Sequence, residues 1–506
     1  MELHGISLPL GTAKEELIRI AAKKAHLEVS KVRTFRILKE SIDARKKGEI
    51  RKVYSVEIDD RIVEKKSLDI PCVGERAFRP VIVGFGPAGM LSAYVLARAG
   101  LRPIVLERGL PIDERAEKVS ALWERGVLDE NANAEYGEGG AGAFSDGKLN
   151  SGIKDKDLVS FVLSTFVECG APEEIEYMNK PHVGTDRLRK MVRTLREKVV
   201  SLGGEVIFSS KVTDIEPRKG ILRVAADKEY LTDTLVLAIG HSARDTYRML
   251  LERGFSMESK PFAVGVRIEQ PQDEINYAMY GVRSDPRLPA AEYKVVEHTQ
   301  AGGVYSFCMC PGGYVVCASS EQGGVVTNGM SYHARDGKNA NAALLVGVDG
   351  QDFGEGVLAG VHYQEQLEQA AFRAGGGDFR APCQRVGDFL RGRVGTVSGG
   401  VEPTYRPGVT ATDLNGVLPE RIGAALKLGI TAFDKKIRGF IRENDLLTGA
   451  ETRSSSPVRV LRGTDLKSLS HPAVYPCGEG CGYAGGIMSA AVDGVRVAFA
   501  IIGERE

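Results

Sequence analysis

The chain has 506 residues, of which 43% are apolar and 26% are charged, and its 67 Lys and Arg residues balance its 67 Asp and Glu residues. This balance excludes a disordered chain and a protein whose net charge attracts polyanions. No apolar stretch is long enough for a signal peptide or a membrane span, and eight cysteines are too sparse for a disulfide scaffold. We therefore expect reduced thiols, a cytoplasmic location and no membrane partner.

Glycine is over-represented, with 60 residues where average usage of about 7% predicts about 35. Glycine destabilises the interior of a helix or strand, so an excess marks places where the backbone turns sharply or approaches a ligand. The residues 301–430 hold 25 of these glycines. The length predicts two to four domains, and the glycine distribution suggests where they begin.

Residues 1–79 are predicted to form a small α+β domain. Its predicted elements are, in order, a helix at Lys14–His26, a strand at Val32–Leu38, a helix at Ser41–Lys47 and a strand at Lys52–Ile58. The domain carries 18 Lys and Arg against 13 Asp and Glu, a net charge of +5. Its basic segment is either a solvated face or a contact for nucleic acid or an acidic partner, with the solvated face favoured.

The segment that follows carries a dinucleotide-binding fingerprint. A strand from Pro80 leads into G-x-G-x-x-G at Gly84, Gly86 and Gly89, then a helix, and then a second strand that ends at Glu107. The first glycine allows the tight turn, the second leaves room for a pyrophosphate, and the third lets helix and strand pack closely. An acid at the position of Glu107 binds a ribose. Further cofactor-binding candidates beside these are Pro87, Ala88 and Arg108.

Two later glycine-rich segments favour FAD over NAD. The first, at 137–149, suggests backbone lying against a second part of a long ligand. The second, at 477–487, joins a strand to the final helix, where Glu479 can bind ribityl hydroxyls and the helix N-terminus can stabilise a reduced flavin. The cofactor-binding candidates in the two segments are Gly139, Gly140, Ala141, Gly142, Lys148, Gly478, Glu479, Gly485, Gly486 and Ile487.

These elements predict an α/β fold in which a Rossmann-type FAD-binding domain carries an inserted β-rich substrate domain. The predicted domains after residue 79 are 80–254 and 421–506 for FAD and 255–420 for the substrate. No Cys/His cluster has zinc spacing, so no metal site is predicted. The oligomeric state stays open.

Several longer motifs carry a resemblance to a known family. They are Tyr136–Leu149, His182–Leu188, Gly240–Asp245, Phe307–Gly313, Glu451–Val458 and 477–494. On these motifs the chain resembles the FAD-dependent or NAD(FAD)-utilising dehydrogenases within the glutathione-reductase-like superfamily, over nearly its whole length. The resemblance implies that the first fingerprint binds the ADP half of FAD, that a strand near Val212 contacts the adenine, and that the backbone at Gly240 closes over the cofactor.

The chain also departs from the disulfide reductases of that superfamily. It lacks their Cys-x4-Cys pair and their second fingerprint for NAD(P)H. Cys477 and Cys481 can form a dithiol relay if they lie over the flavin, but small buried residues are the favoured interpretation. Cys308 and Cys310 are separated by one residue.

The candidate catalytic residues come from the recognised motifs. Lys148 or Arg453 can hold an anionic substrate or stabilise the flavin N1, and His241 or Tyr483 can shuttle a proton. Arg244 is a further residue to test, although it can instead pair with Asp245 or Glu451.

We therefore expect an FAD-dependent oxidoreductase that transfers a hydride or electrons between flavin and a small organic substrate, with NAD(P)H as a candidate transient donor. Two alternatives remain: a flavoprotein that docks RNA through its basic N-terminal domain, and a redox-inert FAD-binding protein. The sequence does not identify the substrate.

Overall fold

The computed structural model describes residues 1–65, 67–218 and 220–503. The N-terminal domain consists of β1 (Glu2–Pro9), α1 (Lys14–Lys24), β2 (Thr34–Asp43) and β3 (Arg51–Asp59). Its antiparallel sheet has the order β1-β3-β2, and α1 covers one face through a small core of its own. The predicted helix at Ser41–Lys47 is wrong, because residues 41–43 continue β2 and pair with residues 51–53 of β3.

A five-stranded sheet follows, with the order β22-β10-β4-β5-β6 and every pair parallel. The elements from its first strand onward are β4 (Val81–Val83), α2 (Pro87–Arg98), β5 (Ile104–Leu106), α3 (Ile112–Arg125), α4 (Lys156–Glu168), α5 (Thr185–Ser201), β6 (Glu205–Ile207), β7 (Asp214–Arg218), β8 (Ile221–Ala225), β9 (Glu229–Thr232), β10 (Leu235–Leu237) and α6 (Arg244–Glu252). The strands β7, β8 and β9 form a separate antiparallel meander. The central strands are fully apolar because both faces of the sheet are covered.

A seven-stranded sheet, with the order β13-β14-β17-β12-β20-β18-β19, forms the second large layer. The elements of this region are β11 (Met257–Ser259), β12 (Phe262–Pro271), α7 (Gln272–Tyr280), β13 (Val296–Thr299), β14 (Gly302–Cys310), β15 (Tyr314–Cys317), β16 (Thr327–Met330), β17 (Asn339–Val348), α8 (Gly350–Phe353), α9 (Ala359–Gly375), β18 (Ala381–Arg385), α10 (Val386–Arg391), β19 (Val409–Ala411), α11 (Glu420–Lys436) and β20 (Leu446–Glu451). Because α11 and β20 share the core of this sheet, the sheet region extends beyond residue 420, where the sequence predicted a domain boundary.

The chain then returns to the parallel sheet. Its last elements are β21 (Val458–Val460), β22 (Val474–Pro476) and α12 (Ile487–Gly503). The strand β22 becomes the edge of the five-stranded sheet, and α12 packs against α2 in the core of the same layer. The fold thereby brings the turn before α2 and the loop before α12 to the same end of that sheet. Among the described residues, no helix has the length and apolarity needed to cross a bilayer.

Candidate cofactor and substrate site

A cavity of about 730 Å³ lies at the carboxyl end of the parallel sheet and reaches the seven-stranded sheet. Carboxyl ends of parallel strands are where open α/β sheets bind ligands. The predicted cofactor residues that line this cavity are Gly84, Gly86, Pro87, Ala88, Glu107, Arg108, Gly140, Ala141, Gly142, Lys148, Val212, Gly240, Glu479, Gly485, Gly486 and Ile487. The structure thus brings segments more than 400 residues apart in sequence to one site.

The glycines of the fingerprint and of the loop before α12 are required for different reasons. Gly84 and Gly89 are required by the packing of the protein itself, since a Cβ at Gly84 would lie 2.4 Å from the carbonyl oxygen of Ala238 and one at Gly89 would lie 2.0 Å from the carbonyl oxygen of Gly84. At Gly86 a Cβ would meet only a backbone carbon at 3.7 Å, and at Gly485 it would meet nothing within 4 Å. Neither Gly86 nor Gly485 has a positive φ.

Neither backbone conformation nor internal packing explains why positions 86 and 485 are glycine. Both positions line the cavity. A ligand that approaches the backbone closely explains them, since a side chain at either position would occupy the ligand's space. This observation fits a dinucleotide whose pyrophosphate lies before α2 and whose other end reaches the start of α12.

Glu107 is a buried carboxylate at the end of β5. It accepts hydrogen bonds from the backbone N–H groups of Phe85 at 2.8 Å, Gly109 at 2.8 Å and Gly137 at 3.0 Å. A carboxylate has about four acceptor sites, so Glu107 connects three loops and keeps little capacity for the ribose that the sequence predicted as its partner. The neighbouring Arg108 pairs with Asp245 at 2.6 Å and stacks on the ring of Tyr136.

Arg115 holds the glycine-rich loop in shape and was not predicted. Its fully buried guanidinium donates to the carbonyl oxygens of five loop residues at 2.7–3.2 Å. The five acceptors are Asn133, Ala134, Gly137, Glu138 and Gly140. Burial lowers the pKa of Arg115 to about 10, which still leaves the group charged at neutral pH. No motif in the sequence marks this residue, because its hydrogen bonds go to backbone carbonyl oxygens.

Two carboxylates and one imidazole meet in the wall of the cavity. The Nε2 atom of His241 lies 3.1 Å from the carbonyl oxygen of Arg453 and 3.9 Å from a carboxylate oxygen of Glu135. Glu135 accepts a hydrogen bond from Ser242 at 2.8 Å. Burial raises the pKa of Glu479, with His241 acting in the opposite direction and Glu135 adding to the rise. This group can hold or move a proton beside a ligand.

Lys148 also lines the cavity. Its ammonium donates to Asp146 at 2.8 Å and to the carbonyl oxygen of Met309. Burial lowers the pKa of Lys148, but the Asp146 carboxylate and nearby thiols raise it by more, so its pKa stands above the ordinary value. Asp146 also pairs with Arg335, which leaves the cluster with net positive charge.

Arg453 lines the cavity and belongs to a cluster in which two guanidiniums balance the carboxylates of Glu368 and Glu321. It donates to both carboxylate oxygens of Glu368, at 3.2 and 3.0 Å, and Glu368 also binds Arg244 at 2.7 and 2.9 Å. Burial raises the pKa of Glu368, but the two guanidinium groups lower it by more, to about 2. The alternative partners predicted for Arg244, Asp245 and Glu451, are not those that it binds.

Tyr483 lies outside the cavity lining, in contrast to its predicted catalytic role. Its hydroxyl donates a hydrogen bond to the carbonyl oxygen of Val460 at 3.0 Å and accepts one from the N–H of Arg462 at 3.0 Å. The hydroxyl is therefore already engaged both as a donor and as an acceptor. Gly89, Gly139 and Gly478 also lie behind the lining, and their small size serves internal packing.

Cys477 lines the cavity, whereas Cys481 is buried behind it and donates to the carbonyl oxygen of Leu237 at 3.2 Å. Burial raises the pKa of both thiols. This arrangement favours small buried residues over a dithiol relay at 477 and 481. Among the described residues, no group of three or more His, Cys, Asp or Glu side chains can hold a metal ion.

Comparison with known proteins identifies the cofactor and the class. A family model described as "FAD-dependent protein, C-terminal domain-like" matches residues 261–454, and one described as "Domain of unknown function (DUF8436)" matches residues 3–59. With the cavity described above, the first match supports FAD as the cofactor. The class defined by fold and site is that of the FAD-dependent flavoproteins.

A protein of Clostridium beijerinckii, described as "Uncharacterized protein", is 47% identical over 525 aligned positions, which cover 99% of this chain and 98% of that protein. The chain belongs to the same family as this protein.

Similar solved structures include CtdE in complex with FAD, with 12% identity, coverage of 85% of this chain and 86% of that chain, and a TM-score of 0.36. A variant of NikD, an unusual amino acid oxidase, has 11% identity, coverage of 85% and 95%, and a TM-score of 0.38. The Lactococcus lactis thioredoxin reductase has 18% identity and a TM-score of 0.19, and the match spans 32% of this chain and only 35% of that reductase.

Proposed function

We propose that the protein is an FAD-dependent oxidoreductase that transfers a hydride or electrons between flavin and a small organic substrate. The observation that carries the proposal is the single cavity that runs from the turn at Gly84–Gly86 to the start of α12 and on to the seven-stranded sheet. A cofactor in the first part of this cavity would meet a substrate in the last part. We also propose that the parallel sheet is a Rossmann-type domain of the glutathione-reductase-like superfamily.

The cavity wall offers suitable partners for each part of FAD. Arg108 and Val212 lie where the adenosine half would bind, beside Glu107. The first N–H groups of α2 have no intrahelical partner and face the space beside Gly86, which suits a pyrophosphate. The N-terminus of α12 at Ile487 carries a partial positive charge that would stabilise negative charge on a reduced flavin.

FAD, when bound, would supply the electron acceptor or donor, and the residues of the chain would bind and orient the substrate. Lys148 is the best candidate to hold an anionic group, because its ammonium is charged and opens on the cavity. Arg453 is a weaker candidate, since it lies in a cluster whose charges balance once Glu321 is counted with Glu368. His241 is placed to hold or move a proton, with Glu135 and Glu479 beside it.

The far end of the cavity is lined by residues of the second sheet region, including Tyr293, Ser306 and Phe307. A mixture of aromatic and small polar groups suits a small organic molecule with a few hydrogen-bonding atoms. NAD(P)H is proposed as a transient electron donor. A cytoplasmic location is part of the proposal and is supported by the eight free cysteines.

No observation on the described residues favours the RNA-docking alternative. Several cations of the basic N-terminal segment are paired with acids of the same domain, as in Arg36 with Glu57 and Lys52 with Glu40. Pairing of this kind suits a solvated face.

The direct test is to purify the protein, record its visible spectrum, and separate the flavin that denaturation releases. We expect FAD at close to one equivalent, and bleaching of its absorbance when NADH or NADPH is added without oxygen. If no flavin is bound after reconstitution with FAD, the proposal fails. If flavin is bound but neither nucleotide reduces it, FAD binding stands and the proposed donor is wrong.

A further inference from the structure

The end of β14 departs from regular strand geometry where it reaches the cavity. Its pairing with β17 is regular up to Phe307, shifts there, and resumes at Cys310. Between these residues Cys308 adopts a φ of +43°, in the left-handed region that side chains other than glycine rarely occupy. Such strain concentrates at functional sites, where the surrounding structure holds it in place.

Several contacts hold this bulge in place. Arg267 donates to the carbonyl oxygen of Cys308 at 3.2 Å, and Lys148 donates to that of Met309. The thiol of Cys310 turns back towards Cys308 and lies 3.3 Å from its carbonyl oxygen. Cys308 lines the cavity, whereas Cys310 is fully buried behind it. One cysteine of the pair therefore borders the ligand space, and the thiol of the other lies against it from the buried side.

The charges around Cys308 favour its thiolate. The hydrogen bond from Cys310 lowers the pKa of Cys308, burial opposes this effect, and the cations of Lys148 and Arg267 lower the pKa further, with Asp146 acting weakly against them. The pKa of Cys310 is raised by the same hydrogen bond and by burial. These effects favour the ionised form of Cys308, which lines the cavity, and the protonated form of Cys310 behind it.

Other cysteines of the chain behave differently. Burial raises the pKa of Cys169, Cys317, Cys383, Cys477 and Cys481. A thiol with a raised pKa is a poor nucleophile at neutral pH, so none of these five cysteines is favoured as the attacking thiolate.

We propose that Cys308 and Cys310 form a redox-active dithiol that exchanges two electrons with the bound flavin. This inference rests on the proposed function. The Cys308 thiolate and the Cys310 thiol join through a new S–S bond, the S–H bond of Cys310 breaks, and two electrons with that proton pass to the oxidised flavin, which becomes the anionic reduced flavin. In the reverse direction the disulfide accepts two electrons and one proton. A disulfide across one intervening residue is strained and hence easily reduced.

The first test measures the thiols directly in the purified flavoprotein. The protein is equilibrated with glutathione buffers of stepped ratio, quenched with acid, alkylated and digested. The peptide that contains both cysteines is then analysed by mass spectrometry. We expect one transition in which both alkylation sites disappear together and the peptide loses two hydrogen atoms. Cys169→Ser, a buried cysteine remote from the bulge, is the matched control and should behave as the wild type. A peptide that stays fully alkylated at every ratio overturns the proposal.

The second test uses the pH dependence of alkylation, which a merely structural cysteine would not alter. With iodoacetamide, the midpoint at Cys308 should lie below that of the exposed Cys72 in the same sample. Lys148→Met should raise the midpoint at Cys308 by about one pH unit, since an opposite charge nearby shifts a pKa by about 1–3 units. Equal midpoints at the two cysteines, or no change in the variant, contradict the assignment of Cys308 as the thiolate.

Both tests read the thiols and do not depend on flavin content. If the protein retains no FAD while the disulfide still forms, the proposed function fails and the electron exchange with flavin fails with it. If FAD is retained and no disulfide forms, only the present inference fails. Cys310→Ser reports on folding through its flavin spectrum, and it should retain flavin but lose the transition.

Discussion

Replacing Gly86 by valine should remove FAD binding while the fold survives. The backbone at Gly86 has φ of −81° and ψ of −173°, which valine adopts without strain. Its Cβ would meet only the Cα of Gly140 at 3.7 Å, an ordinary contact. The residue caps α2, where valine is less favourable than glycine by about 1 kcal/mol. The stability cost is therefore small, but the two Cγ atoms fill the space in front of the first N–H groups of α2.

The assay compares thermal unfolding with and without FAD. At a concentration of about 100 times Kd, FAD should stabilise the wild-type protein by about 2.7 kcal/mol, and it should leave Gly86→Val unchanged. Gly89→Ala is the contrasting variant, since its Cβ would lie 2.0 Å from the carbonyl oxygen of Gly84. Overpacking of this kind costs about 1–3 kcal/mol or more whether or not FAD is present.

The reasoning is refuted if Gly86→Val copurifies with a normal flavin content. It is also refuted if the variant unfolds in the absence of FAD as readily as Gly89→Ala does, because position 86 would then be required by internal packing.

Three further outcomes follow from buried carboxylates. Glu368→Gln should destabilise the protein by about 3–5 kcal/mol in urea unfolding, because Arg453 loses its charged partner and Arg244 keeps only the partly exposed Glu321. Burial raises the pKa of Asp445 to about 7, so the folded protein retains a proton that the unfolded chain releases near its ordinary pKa of 3.8. The contribution of Asp445 to stability should therefore fall as the pH rises from about 4 to 7, by up to about 1.4 kcal/mol per pH unit, and Asp445→Asn should lack this contribution in urea titrations. Glu107→Gln should lower stability by about 1–3 kcal/mol and weaken FAD retention, as seen by flavin content, because an amide nitrogen cannot accept from a backbone N–H.

Glu368→Gln has a matched control, and the other two outcomes have results that would contradict them. Glu365→Gln lies one turn before Glu368 on α9 and removes a pair with Arg248 that is less buried, so it should cost no more than about 1 kcal/mol. A pH profile of Asp445→Asn that matches the wild type would contradict the assigned pKa. Unchanged flavin content and stability in Glu107→Gln would show that its three backbone contacts are dispensable.

The sequence predicts well those features that depend on local spacing. The fingerprint at 84–89 places a turn, a helix and a strand through contacts within one short segment, and the structure has these elements at those positions. The prediction of a helix at Ser41–Lys47 is wrong because the structure of this segment depends on contacts with another strand. Its residues have acceptable helix propensity, but pairing with β3 extends the strand through Asp43, and partner strands outweigh local preference.

Other features could not be predicted because their partners are distant or are backbone atoms. Glu368 lies on α9, far in sequence from Arg244 and Arg453, and no motif links the three. The hydrogen bonds that Arg115 donates go to carbonyl oxygens, which every residue possesses. The fingerprint contains both Gly86 and Gly89 and does not distinguish them. Only the structure shows that Gly89 is required by internal packing, whereas Gly86 borders the ligand space.

The five hydrogen bonds of Arg115 have a consequence for how the protein acquires its cofactor. The glycine-rich loop, which has few side chains to stiffen it, is held by a buried guanidinium that belongs to the chain itself. Newly made chains can therefore complete this part of the binding surface before FAD arrives. Loading becomes the docking of a molecule onto a preformed surface, and little affinity is lost to ordering the loop.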